Sequence, residues 1–243
     1  MKAILLAAGI GSRIRPLTDD KPKSLLDVNG RTILFNMIEN VQAVGMNEVI
    51  VVTGYLEEIL KAYITENFPS LSVTFIRNEK YLDTNTGYSL LLTREAVGDD
   101  SFIKFDADVI FERSVLEKLV NHEAETALLI DRNINLEAEE VKAITTPEGR
   151  VLKVGKKLNP HESTGESIGI EKIGKEAAKV LYAELGSLMQ DQSNWKEYYD
   201  DSYTTLVERG VPFHAVDITG HRWVEIDTHE DYAKAKELFT NEG

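Results

Sequence analysis

Ile4-Leu5-Leu6-Ala7-Ala8-Gly9-Ile10-Gly11-Ser12-Arg13 is a short, continuous apolar run broken by two glycines and then by cations. Runs of this kind suit a strand covered on both faces, as in a parallel sheet. The same pattern returns at Val49-Ile50-Val51-Val52-Thr53, Val73-Thr74-Phe75-Ile76 and Ser101-Phe102-Ile103-Lys104-Phe105. Between these runs, apolar residues at helical spacing predict helices over 32–44, 56–64 and 88–97. Strand and helix therefore alternate through about the first 110 residues, which predicts a doubly wound, mostly parallel α/β sheet. The second half predicts a more β-rich part, with strands near 127–130, 141–144, 151–154, 167–171, 213–216 and 223–226. Helices are expected over 175–185, 195–208 and 229–239. No repeat or Pro/Gly/Ser linker divides the 243 residues, so residues 1–243 are expected to form one domain with two unlike halves meeting near residue 110.

Composition removes several functions. The absence of cysteine excludes disulfides, thiolate metal sites and cysteine nucleophiles. A formal net charge of -14 argues against non-specific nucleic-acid binding, which needs a basic face. The apolar stretches are shorter than the ~20 residues of a membrane span, and residues 1–8 lack the plan of a signal peptide. The expectation is a cytoplasmic protein with no membrane insertion. His122, His161, His214, His221 and His229 are scattered, without the close pairing of a helical zinc site.

Against this acidic background, residues 9–24 hold Arg13, Arg15, Lys21 and Lys23 but only Asp19 and Asp20 as acids. Glycines after a strand let backbone N–H groups approach phosphate oxygens, and nearby cations suit a polyphosphate. The spacing is neither Gly-x-Gly-x-x-Gly nor a P-loop, so dinucleotide and P-loop readings lose support. Two acidic stations follow. Asp106 and Asp108 end a strand and share one face, which suits either a divalent cation or a turn capping the next helix. Glu225 and Asp227 repeat the arrangement before the last helix, where Asp227 could also be an N-cap, three residues before Glu230.

Leu6-Ala7-Ala8-Gly9-x-Gly11-Ser12-Arg13-x-x-Pro16-Leu17-Thr18, followed by Lys21-Pro22-Lys23-Ser24-Leu25-Leu26, resembles the N-terminal motif of nucleotidyltransferases acting on sugar-1-phosphates and related phosphates. The resemblance covers most of the chain and thins between about 115 and 160. It implies a Rossmann-like nucleotidyltransferase fold, with a nucleotide-binding half to about residue 110 and an acceptor-binding half after it. It further implies a nucleoside triphosphate on the glycine loop, Ala7, Ala8, Gly9 and Gly11 around the nucleotide, Arg13 and Lys23 as catalytic cations, and Mg²⁺ on Asp108 and Asp227. Asp106 goes with the nucleotide.

Asn85-Thr86-Gly87-Tyr88-Ser89-Leu90 stands where many sugar nucleotidyltransferases have a Gly-Thr-Ala-like segment. Its Asn85 and Ser89 resemble the cytidylyltransferases that activate phosphocholine and related phospho- or phosphono-alcohols. That resemblance implies CTP as donor and a small phosphate or phosphonate, of the phosphocholine or 2-aminoethylphosphonate type, as acceptor. Lys153 or Lys156 would hold the acceptor's phosphate. Glu166, Tyr198, Asp200 and, as a helper, Glu225 complete the acceptor side. Trp195-Lys196-Glu197-Tyr198-Tyr199-Asp200 sets aromatics beside acids, as a substituted ammonium requires; the start of a helix with packed tyrosines is the other reading. A sugar-1-phosphate or inositol-phosphate nucleotidyltransferase using UTP, dTTP or CTP, and a non-catalytic nucleotide sensor, are the alternatives.

Overall fold

The computed structural model describes residues 1–133, 136 and 139–240. In chain order it forms β1 (Lys2–Ala7), β2 (Asp27–Val28), β3 (Arg31–Thr32), α1 (Ile33–Ala43), β4 (Glu48–Thr53), α2 (Glu57–Asn67), β5 (Ser72–Arg77), α3 (Thr86–Leu92), α4 (Arg94–Val97) and β6 (Phe102–Asp106). There follow β7 (Val109–Phe111), α5 (Arg113–Asn121), β8 (Ala127–Asp131), β9 (Lys142–Thr145), β10 (Val151–Gly155), β11 (Gly165–Ile173), α6 (Lys175–Leu188), α7 (Asp201–Glu208), β12 (His214–Asp217), β13 (Trp223–Glu225) and α8 (His229–Leu238).

The main sheet runs β10-β9-β11-β6-β1-β4-β5, with β8 also on β11 and β12 beyond β8. Strands β6, β1, β4 and β5 are mutually parallel, and β11 joins β6 antiparallel. Alternation along β1 divides the core. Ala3 and Leu5 face α1, α2 and α5, whereas Ile4 and Leu6 face α3, α6 and α7. Both faces are covered, which is why β1 and β4 are continuous apolar runs rather than alternating ones. The chain leaves β1 for β4 and β5 on one side, then returns to β6 on the other. The strand order thus reverses at β1, opening a crevice at the carboxyl ends of β1 and β6.

A third apolar cluster lies under that crevice: Ile14, Leu26, Val28, Ile33, Ile110, Val224, Ile226 and Ala235. It seats the glycine loop, β13 and α8 on one base. Antiparallel pairing of β13 with β7 sets Glu225 opposite Val109, so the second acidic station is built against the first.

Some elements differ from expectation. Helix α5 was not foreseen, although Val115, Leu116 and Leu119 have helical spacing and are fully buried; burying each leucine contributes roughly 2 kcal/mol. The helix expected from 195 begins only at Asp201. Its first part is held as a loop, because Trp195 donates from Nε1 to the Met189 carbonyl at 2.9 Å and accepts the Asn85 N–H at its own carbonyl at 2.9 Å. Among the described residues, no helix is long and apolar enough to cross a membrane.

Candidate active site

The glycine loop leaves β1 and folds back on itself. Gly11 has φ +67°, and a Cβ there would lie 3.1 Å from the Lys23 Cβ and 3.2 Å from the Thr18 methyl. Glycine is therefore required both by conformation and by close approach. Buried Thr18 donates its hydroxyl to the Gly11 carbonyl at 2.8 Å, pinning the return of the loop. Gly9 is different: nothing lies within 4 Å of an added Cβ, so its surface opens to the crevice.

A single turn at Lys23–Leu25 then brings Lys23 between the two acidic stations. Its Nζ lies 2.6 Å from Asp108 Oδ2 and 2.7 Å from Asp227 Oδ1, while Arg13 donates to Asp227 Oδ2 at 2.6 Å. Burial lowers the Lys23 pKa, but the Asp108 and Asp227 carboxylates outweigh it and hold the ammonium above its ordinary value. Burial raises Asp227, and Lys23 followed by Arg13 overcomes that and keeps it below the usual range. Glu225 is pushed well above the usual carboxylate range, by burial first and then by its two acidic neighbours.

The carboxylates of Asp108, Glu225 and Asp227 offer oxygens within 4.8 Å of one another. Asp108 Oδ1 is also buried without a hydrogen-bond partner. All-oxygen donors, an orphaned carboxylate oxygen and a compensating ammonium among them fit a hard divalent cation. Glu225 was expected on the acceptor side. The β7–β13 register places it beside Asp108, in the same cleft. The helix-cap reading of Asp227 is also corrected: Thr228 caps α8 and forms the capping box with Asp231, which leaves Asp227 facing the cleft.

On the other side of the crevice, Asn85 caps α3 by accepting from the Thr86 N–H at 2.9 Å. Ser89 accepts from Asn78 Nδ2 at 3.0 Å, and Asn78 also donates to Thr84 at 2.9 Å. A Cβ on Gly87 would lie 2.8 Å from the Glu197 carbonyl. That glycine is what allows the 195–200 loop to lie against α3.

The structure brings Ala7, Ala8, Gly9, Gly11, Arg13, Lys23, Asn85, Ser89, Asp106, Asp108, Lys156, Glu166, Tyr198, Asp200, Glu225 and Asp227 into one cleft of about 800 Å³. Lys153 does not line it and is corrected. It is exposed on β10, and the chain turns at Gly155 (φ +152°) before Lys156 reaches the cleft.

Sequence reasoning missed a buried cation beneath the acceptor end. Lys104 and Glu171 are 0% and 1% exposed and pair at 2.8 Å. Lys104 also donates to Asp106 Oδ2 and to the Gly169 carbonyl, each at 3.1 Å, and lies 3.6 Å from the centre of the Tyr199 ring. Tyr199 donates its hydroxyl to the same Asp106 oxygen, leaving Asp106 Oδ1 buried and unpartnered. Burial pushes Glu171 above its ordinary value, against the pull of Lys104. Alternation placed Lys104 on a strand covered on both faces, and a lysine there was the available signal.

Comparison with known proteins establishes the family. Residues 2–152 match the family model described as nucleotidyl transferase. The chain belongs to that family and is a nucleotidyltransferase enzyme. A CTP:phosphoglutamine cytidylyltransferase of Campylobacter jejuni is 30% identical over 95% of this chain and 97% of its own length. A bifunctional IPC transferase and DIPP synthase of Aquifex aeolicus is 32% identical over 96% of this chain, which spans only 50% of that protein. The solved CTP:phosphocholine cytidylyltransferase of Streptococcus pneumoniae superposes with a TM-score of 0.80 at 24% identity, covering 98% of both chains. The last likeness is one of fold.

Proposed function

We propose that this nucleotidyltransferase moves a cytidylyl group from CTP to a small phosphorylated alcohol or phosphonate and releases pyrophosphate. The observation that carries the reading is the junction of Arg13, Lys23, Asp108 and Asp227 beside the glycine loop, at the reversal point of the sheet. The preference for CTP is supported by the name of the Campylobacter jejuni relative, aligned over nearly the whole chain.

The chemistry follows from charge. A phosphate or phosphonate acceptor is already an anion at neutral pH, so the attacking oxygen needs no protein base. Its oxygen forms a bond to the α-phosphorus as the α–β bridging P–O bond breaks, and pyrophosphate carries away the electron pair. No covalent protein intermediate is required. Lys23 and Arg13 donate to the phosphate oxygens on which charge develops, and the glycine loop orients the chain of phosphates. Asp108 and Asp227, with Glu225 adjacent, would hold Mg²⁺, which when bound neutralises triphosphate charge. Lys156 would hold the acceptor's phosphate.

A pyrophosphate-release assay with Mg²⁺ tests the reading, crossing CTP, UTP, dTTP, ATP and GTP with phosphocholine, 2-aminoethylphosphonate, inositol-1-phosphate and glucose-1-phosphate. Release with CTP and an amino-alcohol type of acceptor is the expected result. Release with a sugar-1-phosphate and UTP or dTTP would replace the cytidylyl reading. Nucleotide binding without release from any pair would make the chain a sensor.

A further inference from the structure

The acceptor end of the cleft has aromatic side chains, and a lysine of the chain already lies over a face of both Tyr198 and Tyr199. Lys156 Nζ lies 4.5 Å from the centre of the Tyr198 ring, and Lys104 Nζ lies 3.6 Å from that of Tyr199. Tyr199 further packs on Tyr203, with ring centroids 5.5 Å apart. Trp223 is packed into the apolar core, and its Nε1 is tied to Asp131 Oδ2 at 2.9 Å. Tyr81 sits at the opposite end, against Gly54. A trimethylated ammonium has no N–H to donate and is recognised by several open aromatic faces at once. Among the described residues, this end of the cleft presents no such cage.

What it does present is acceptor oxygen. Glu166 lines the cleft and is 5% exposed, and among the described residues its carboxyl group has neither a hydrogen bond nor an ion pair. Asp131 and Asp200 line the same cleft, at 8% and 2% exposure; Asp131 already accepts from the Asn133 N–H and from Trp223, whereas Asp200 Oδ2 is buried without a partner. Leaving a buried carboxyl oxygen such as Asp200 Oδ2 unpartnered is costly, and a ligand bearing N–H donors removes that cost.

Resting on the cytidylyl-transfer reading above, we infer that the acceptor's head group is a primary ammonium whose N–H is accepted by Glu166, and that the site discriminates against a quaternary ammonium. Both head groups carry the same charge, so attraction to the acidic surroundings is common to them. The discrimination comes from the N–H···O bonds that only the primary ammonium makes. Bonds of this charge-assisted kind correspond to roughly a tenfold to hundredfold preference. In keeping with this, Glu166 is pushed up to about 8, by burial first and then by Glu140 and Asp131, against Lys234 and Lys142. A bound ammonium would reverse much of that displacement.

The test uses phosphoethanolamine and phosphocholine, which differ only in three methyl groups on nitrogen. Pyrophosphate release with CTP and Mg²⁺ gives kcat/KM for each, in the wild type and in Glu166→Gln, with folding of the variant checked by its thermal melt. The expected wild-type ratio favours phosphoethanolamine by at least about tenfold, and Glu166→Gln shrinks that ratio chiefly by raising the amine's KM. Equal or better use of phosphocholine by the wild type overturns this inference and leaves cytidylyl transfer standing. So does a ratio unchanged in Glu166→Gln, a comparison that a general loss of stability would not mimic. Release with neither acceptor overturns both readings.

Discussion

Asp108 and Asp227 share one ammonium: Lys23 Nζ lies 2.6 Å from the first carboxylate and 2.7 Å from the second. The two acids lie far apart in the chain, and the pairing of β7 with β13 brings them together. Lys23, with Arg13 on Asp227, compensates the charge that Asp108, Asp227 and Glu225 bring together.

Lys23→Met should therefore have two signatures. Loss of a charge-assisted donor to the reacting phosphates should lower kcat/KM by at least about a hundredfold. Melting measured in a chelator should occur at lower temperature than for the wild type, and Mg²⁺ should restore more of the loss in the variant than in the parent. A variant with near-wild-type turnover would remove Lys23 from the mechanism.

Gly169 separates conformation from contact. Its φ is +75°, and an added Cβ would lie 2.5 Å from Asp106 Oδ2. Gly98 has a similar φ of +62° with nothing within 4 Å of the added atom. Gly98→Ala should cost about 1–3 kcal/mol from strain alone. Gly169→Ala should cost more and should also impair turnover, because Asp106 must move. Urea denaturation of the two variants, with matched assays, checks this; equal costs would contradict it.

The buried pair Lys104–Glu171 makes a prediction about its own dispensability. Lys104→Met alone leaves Glu171 and Asp106 buried without their cation and should cost about 3–5 kcal/mol. Adding Glu171→Leu should recover a large part of that stability, since an apolar pair can replace a buried ion pair. A single variant as stable as the double, measured by denaturant unfolding, would show that the pair is not the unit that matters.

The features legible in the sequence were those written in local pattern. Strand and helix alternated visibly, and the glycine loop, Asp106–Asp108 and Glu225–Asp227 each lay within a few residues. Family resemblance then supplied the link between distant acids that no spacing could give. The parts that were missed depend on register between remote strands. Glu171 meets Lys104 because β11 pairs with β6, and Glu225 meets Asp108 because β13 pairs with β7. The 195–200 segment has helical spacing, yet its packing on α3 through Gly87 overrides local propensity. Lys153 and Lys156 looked equivalent in sequence, and the turn at Gly155 separated them.

Stability should also depend on pH through Glu166. Its folded-state value is raised from 4.5 to about 8, so between those values the native state binds more protons than the unfolded chain. Stability contributed by this group is thus complete at the acidic end of the window and declines as pH rises through it. Thermal melts across this range should show a shallower decline in Glu166→Gln than in the wild type. Identical slopes would mean that Glu166 titrates normally.

The central claim, cytidylyl transfer onto a phosphorus-bearing acceptor, is tested most directly by following the reaction of CTP, Mg²⁺ and phosphoethanolamine with ³¹P NMR. The account predicts that the acceptor resonance gives way to that of a mixed anhydride between the acceptor's phosphate and CMP, with one pyrophosphate formed for each product molecule. An acceptor resonance that stays unchanged while CTP is bound, or hydrolysed to free CMP, would contradict it.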